Sequence, residues 1–191
     1  MTVLYEKKAA ARKAAFKRRK AAHAKAGAAA SWYLSEVLAG YRGIALAGYM
    51  PIRTEIDPLP AMAEAVGYGL VGVPVIDRAD APLLFSQWTP DCALKDGPFG
   101  AKIPVTEHFF DPEILIVPLV AFDLFGGRLG YGGGFYDRTL EQLRACRATL
   151  AIGFAYSAQF AEALPLEETD QSLDMIVTEC GVIETNTVSC G

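Results

Sequence analysis

FDLFGGRLGYGGGFYDR, residues 122–138, is the stretch on which the reading of this chain turns. Six of the chain's 18 glycines (126, 127, 130, 132, 133 and 134) fall within nine of its residues. Glycine has no Cβ and tolerates positive φ, so successive backbone N–H groups can converge on one anion. The apolar run 114–117, bracketed by Pro112 and Pro118, predicts a buried strand ahead of the loop, and 136–146 predicts a helix behind it. That helix would add its free N–H groups and its dipole to the cradle. Arg128 would complete the cradle with a planar charged fork. Asp137 would offer a hard oxygen to a metal ion bound with a phosphate. The loop is not a Walker A loop, because no G-K-[ST] follows, and no strand and acidic residue are placed after it as a dinucleotide fingerprint needs. Glycine spacing alone indicates an anion without naming it, and a flexible surface loop or a tight β-turn stays open.

Working outward, residues 4–26 predict one helix, with Leu4, Ala11, Ala15, Phe16 and Ala22 as a thin apolar stripe and Gly27 as its end. A second helix is expected over 31–38, capped by Ser31. Further helices are expected over 57–66 and, briefly, 159–163. Strands are expected over 43–49, 70–76, 83–88, 114–117, 150–154 and finally 175–178. The Gly/Pro-rich segment 91–106 reads as a long loop, and such loops inside compact domains are usually functional. Strands alternating with helices predict an α/β chain: a single three-layer domain over 1–191 with a mostly parallel sheet covered on both faces.

With 191 residues, 52% of them apolar, the chain can bury a full core. No apolar run approaches the roughly 20 residues of a membrane span. Cys92, Cys146, Cys180 and Cys190 are scattered, which fits neither a zinc site nor a disulfide framework and points to a reducing, cytoplasmic setting. Nine of the 18 basic residues lie between positions 6 and 25, opposed there by Glu6 alone among 22 acids. An acidic body thus carries a basic first segment. No apolar h-region follows it, so it is no secretory signal. A transit peptide, a nucleic-acid arm and an ordinary surface helix remain open on charge alone.

GGRLGYGGGFYDR closely resembles the signature of the 5-formyltetrahydrofolate cyclo-ligase family, also called methenyltetrahydrofolate synthetases. The resemblance runs the length of the chain. Lys8 and Arg12 resemble the family's N-terminal K-x-x-L-R, with Ala11 where Leu is usual. Residues 53–57, RTEID, look like the segment carrying the family's folate-contacting glutamate. Residues 117–118 and 121–123 resemble the strand entering the loop, and 152–156 with Gln159 the next strand and turn. Thr169, in place of the common His, Asp170 and the run 174–179, DMIVTE, resemble the C-terminal block. Glu107-His108 stands where Glu-Pro is frequent.

The resemblance implies ATP-dependent ring closure of 5-formyltetrahydrofolate to 5,10-methenyltetrahydrofolate, with Mg²⁺ required and ADP and phosphate released; a paralogue of the same fold acting on another substrate is the alternative. It implies a fold like that of ribose-5-phosphate isomerase and CoA-transferase relatives. Its partners would be small molecules rather than nucleic acid or membrane, in a monomer or small homo-oligomer. Lys8 and Arg12, four apart on one helical face, would cap the triphosphate, while the charges from Lys13 to Lys20 are expected to be solvated. Arg128, Leu129, Gly130, Tyr131, Gly132, Gly133, Gly134, Phe135 and Tyr136 would hold ATP, with Arg128 and Tyr136 closest to the chemistry. Met50 and Glu55 would meet the folate, together with the span from Tyr131 to Phe135. Asp137 and Asp170 would bind the metal. A salt bridge to Arg53 is the alternative for Glu55, and core packing is the alternative for Met50 and Tyr136.

Overall fold

The computed structural model describes residues 2–27 and 29–185; Cys190 lies outside them. Its centre is a seven-stranded sheet. In chain order the sheet strands are β1 (Leu46–Ala47), β2 (Val71–Val75), β3 (Leu84–Gln87), β6 (Ile114–Pro118), β9 (Leu150–Phe154), β10 (Met175–Thr178) and β11 (Gly181–Glu184). Their spatial order is β11-β10-β9-β6-β1-β2-β3. The five inner strands are parallel, and β3 and β11 pair antiparallel at the two edges.

Alternate residues of the inner strands enter different cores. Leu46, Ile114, Ile116, Ile152, Phe154 and Val177 pack with Leu34, Leu38 and Met62 of α2 (Trp32–Ala39) and α3 (Leu59–Val66). Ala47, Leu115, Val117, Ala151 and Ile176 pack with Leu140 and Leu143 of α4 (Phe135–Cys146). Both faces being buried explains why these strands read as unbroken apolar runs. This is the mostly parallel, three-layer α/β arrangement expected from the alternation of strands and helices.

Several local expectations change. The strand expected at 43–49 narrows to Leu46–Ala47, and helix 57–66 begins only at Leu59. Ser31 stands at the α2 N-cap but makes no side-chain cap bond. Segment 91–106 is not a bare loop: it carries a hairpin, β4 (Leu94–Asp96) with β5 (Lys102–Pro104), bracketed by ion pairs Lys102–Asp96 and Lys95–Glu107. Strand β11 follows the strand expected to be last; its alternating half-exposed pattern is that of an edge, not of an apolar run. The helix expected at 159–163 is a 3-10 turn at Ser157–Gln159. There the buried Gln159 amide donates to the Leu119 and Val120 carbonyls at 2.8 and 3.1 Å, tying the ends of β6 and β9 together.

The glycine string divides in two. Ala121–Phe122 (β7) and Arg128–Leu129 (β8) form a hairpin beyond the C-terminal end of β6, and Gly126 and Gly127 belong to its turn. Gly126 has φ 84°, and a Cβ there would lie 2.4 Å from the Leu173 carbonyl oxygen. Gly126→Ala is therefore expected to cost roughly 3 kcal/mol of stability. A Cβ at Gly130 meets nothing within 4 Å, so Gly130→Ala should cost under about 0.5 kcal/mol. Urea midpoints of the two variants check this contrast, which equal midpoints would contradict.

Helix α1 (Thr2–His23) lies across the C-terminal ends of the parallel strands. Ala15 packs with Val120, Ala121 and Leu129 of the hairpin, while Arg18 donates to the carbonyls of Ala158 and Phe160 after β9.

Candidate functional site

The inward stripe of α1 runs Lys8, Arg12, Ala15, Arg19, a 4-3-4 spacing that keeps four side chains on one helical face. Lys8, Ala15 and Arg19 are buried and Arg12 is half-buried, whereas Lys7, Lys13, Lys17 and Lys20 are exposed. The stripe faces the C-terminal edge of the sheet, where ligand sites of open α/β folds form.

The Lys8 ammonium donates to Asp170 at 2.8 Å and Glu167 at 3.0 Å. Burial opposes its charge, but these two carboxylates outweigh that, so Lys8 holds its proton more tightly than a free lysine. Arg12 donates from Nε to the Gly130 carbonyl at 2.8 Å, and its guanidinium lies along Gly132. Gly134, the N-cap of α4, has φ 65°, a left-handed turn that lets the loop enter the helix. Arg138 bonds back to the Gly133 carbonyl at 2.7 Å and covers the Phe135 ring.

Arg128 extends from β8 into a buried position. Its Nη2 pairs with Asp137 Oδ1 at 3.0 Å, and its Nη1 donates to the Gln171 carbonyl. Asp137 Oδ1 also accepts from the Gln171 backbone N–H at 2.9 Å, while Asp170 Oδ2 accepts from the Glu167 N–H at 2.8 Å. Asp137 therefore bonds to the residue that follows Asp170 in the chain. Asp170 lies in the connection 160–174, which returns over the α4 face just ahead of β10. Each aspartate engages one oxygen in these bonds. Among the described residues no cluster of three or more His, Cys, Asp or Glu could hold a metal. Two carboxylates do suit magnesium, which keeps several waters and needs only one or two protein ligands.

The second half of the site centres on Glu55, in the connection after β1. Glu55 is 6% exposed and accepts from the Ile52 N–H at 2.9 Å. Burial pushes its carboxyl up, opposed by the Ile52 N–H and by the Arg19 charge. Its buried ionic neighbour is Arg19 at 3.9 Å rather than Arg53. Tyr131, 40% exposed, turns its hydroxyl toward this carboxylate and accepts from Arg19 Nη2 at 2.7 Å. Tyr136 and Tyr49 face the same charge; burial and then Glu55 push both phenols well up, so both stay protonated. The Tyr49 hydroxyl donates to the Ile56 carbonyl at 2.7 Å.

Lys8–Asp170 and Arg128–Asp137 thus meet around residues 167–171, Arg12 lies on the glycine loop at Gly130 and Gly132, and Tyr131 of that loop joins Arg19 and Glu55. Leu129 is instead a core residue under Ala15. Met50 is half-buried against the α2/α3 core, and Phe135 packs on the α4 core with its ring 6.5 Å from that of Phe99. Arg19 was not foreseen: it falls among the charges expected to be solvated and is 1% exposed. Its position seven residues after Arg12, on the same face, was the available signal.

Residues 3–179 match the family model described as the 5-formyltetrahydrofolate cyclo-ligase family. The 5-formyltetrahydrofolate cyclo-ligase of Escherichia coli strain K12 is 50% identical over 72 residues, 38% of this chain and 39% of that protein. That of Haemophilus influenzae is 42% identical over 101 residues, 50% of this chain and 54% of that protein. The chain thus spans about two fifths to half the length of these curated relatives. Among solved structures, the Aquifex aeolicus 5,10-methenyltetrahydrofolate synthetase superposes with a TM-score of 0.70 at 28% identity, covering 94% of this chain and 93% of that one. No described helix is long and apolar enough to cross a membrane.

Proposed function

Because the chain belongs to the 5-formyltetrahydrofolate cyclo-ligase family, matched over residues 3–179, we propose that it closes 5-formyltetrahydrofolate to 5,10-methenyltetrahydrofolate at the expense of ATP. The supporting observation is that Arg12 on the Gly130 carbonyl and Arg19 on the Tyr131 hydroxyl tie the glycine loop, read as the phosphate half, to the buried Glu55, read as the folate half.

A formamide oxygen is a poor leaving group. Transfer of the ATP γ-phosphoryl group to the formyl oxygen makes the formyl carbon electrophilic. Attack by the second folate nitrogen then closes the ring, and the oxygen departs as phosphate beside ADP. Catalysis of such a transfer is mostly positioning and charge neutralisation. Lys8 and Arg12 would draw the phosphates against the Gly130–Gly134 backbone, whose N–H groups and α4 N-terminus favour negative charge. Arg128 holds Asp137 in place and adds charge behind the loop. Magnesium, when bound, would offset phosphate charge, with Asp137 and Asp170 as its protein ligands. Glu55 would hold the folate by its N–H groups, and the exposed part of Tyr131 would line the space between the two substrates.

Turnover tests this directly. With Mg-ATP, the chain is expected to produce the near-ultraviolet band of the methenyl product and to consume ATP only when 5-formyltetrahydrofolate is present. Equal ATP hydrolysis with and without the folate would overturn the reading.

A further inference from the structure

We propose that Arg19 is the positioning residue of the folate half of the site: it clamps the Tyr131 hydroxyl and Thr54 and steadies the Glu55 carboxylate by charge, so that a folate meets both groups in one arrangement. This deepens the cyclo-ligase reading and rests on it. Arg19 touches no substrate in this role, because its side chain is 1% exposed.

The guanidinium is held on two prongs. Nη2 donates to the Tyr131 hydroxyl at 2.7 Å and Nε to Thr54 Oγ1 at 3.1 Å. The rings of Phe16 and Tyr131, whose centroids are 5.5 Å apart, lie beside it with centroids 5.2 and 5.4 Å from its carbon. The third prong, Nη1, has no hydrogen-bond partner among the described residues and stands 3.9 Å from Glu55 Oε1. A guanidinium withdrawn from water is costly unless its donors are matched. A packing residue at this helix position could have been apolar, as Ala15 is one turn earlier. Two of the three groups that the fork reaches, Tyr131 and Glu55, are the ones assigned to the folate, and the third, Thr54, adjoins Glu55. The same helix therefore serves both halves of the site, with Arg12 on the Gly130 carbonyl and Arg19 on the next residue, Tyr131.

Lysine cannot reproduce a fork that bonds on two sides. Steady-state constants for both substrates, with thermal melts, would be measured for the wild type, Arg19→Lys, Tyr131→Phe and the double variant. Arg19→Lys should raise the KM for 5-formyltetrahydrofolate about tenfold and leave the KM for ATP within about twofold. Tyr131→Phe should raise the folate KM by a smaller factor. The double variant should be no worse than Arg19→Lys alone, because the lysine has already lost the Tyr131 bond. Folate and ATP KM values rising together, or factors that multiply in the double variant, would overturn the proposal. Should Arg19→Lys not fold, Thr54→Val decides, because Thr54 meets Arg19 and is not assigned to the folate: a raised folate KM with the ATP KM unchanged supports the clamp, and an unchanged folate KM overturns it. A wild-type chain that forms no methenyl product overturns the cyclo-ligase reading itself. Wild-type turnover with an unshifted folate KM in the variants overturns this inference alone.

Discussion

Lys8→Ala and Arg12→Ala are each expected to lower kcat/KM for ATP by about a hundredfold while changing the KM for 5-formyltetrahydrofolate less than about twofold. Lys17→Ala and Lys20→Ala should leave both within about twofold. All four residues lie on one basic helix, so the contrast depends on direction and not on charge. Lys8 and Arg12 point at Asp170 and Gly130, whereas Lys17 and Lys20 point into water. A charge-assisted hydrogen bond made away from solvent is worth about 1.5–3 kcal/mol, roughly ten- to 150-fold in an equilibrium constant, and a solvated charge contributes far less. Lys8 brings a firmly held proton to the task, because Asp170 and Glu167 raise its affinity for it. Similar ATP constants in all four variants would remove the phosphate role of α1.

The second large effect concerns the aspartates. Asp137→Asn or Asp170→Asn should lower kcat by about a hundredfold or more and raise the magnesium concentration needed for half-maximal rate, with folate binding nearly intact. Both substitutions keep shape and remove the charge that offsets metal and phosphate. They differ in their structural cost. Asp137→Asn strips the countercharge from Arg128, whose side chain is 4% exposed, and removing one partner of a buried pair can cost about 3–5 kcal/mol. Arg128 keeps its bond to the Gln171 carbonyl, so the loss should fall at the low end of that range. Asp170→Asn leaves Lys8 with Glu167, which is half-exposed, and should be milder. Rates titrated against magnesium, alongside urea melts, separate the two effects. A magnesium dependence equal to wild type in both variants would rule out a shared metal site.

The layered α/β architecture was legible because local chemistry and tertiary surroundings agree there. Residues 114–117 and 150–154 are apolar on both faces, and strands buried on both faces are parallel core strands. The residues proposed for phosphate could be grouped from the sequence, since Gly130 to Gly134, Arg128 and Asp137 sit within one short stretch, and Lys8 and Arg12 share a helical face by spacing alone. Strand β11 and the β4–β5 hairpin escaped because edge and surface strands have no two-sided burial, and their backbone pairing leaves a weak trace in composition. Only the tertiary structure could divide the glycine string into the Gly126 turn, shaped by the Leu173 carbonyl, and the loop beside Arg12. It alone set Asp137 against Gln171, the neighbour of Asp170, across a long connection. It alone decided that Arg19, one more arginine in a basic run, is 1% exposed between Tyr131 and Glu55. Sequence sets which face of α1 a residue occupies; whether that face meets water or a buried carboxylate depends on how the helix docks across the strand ends.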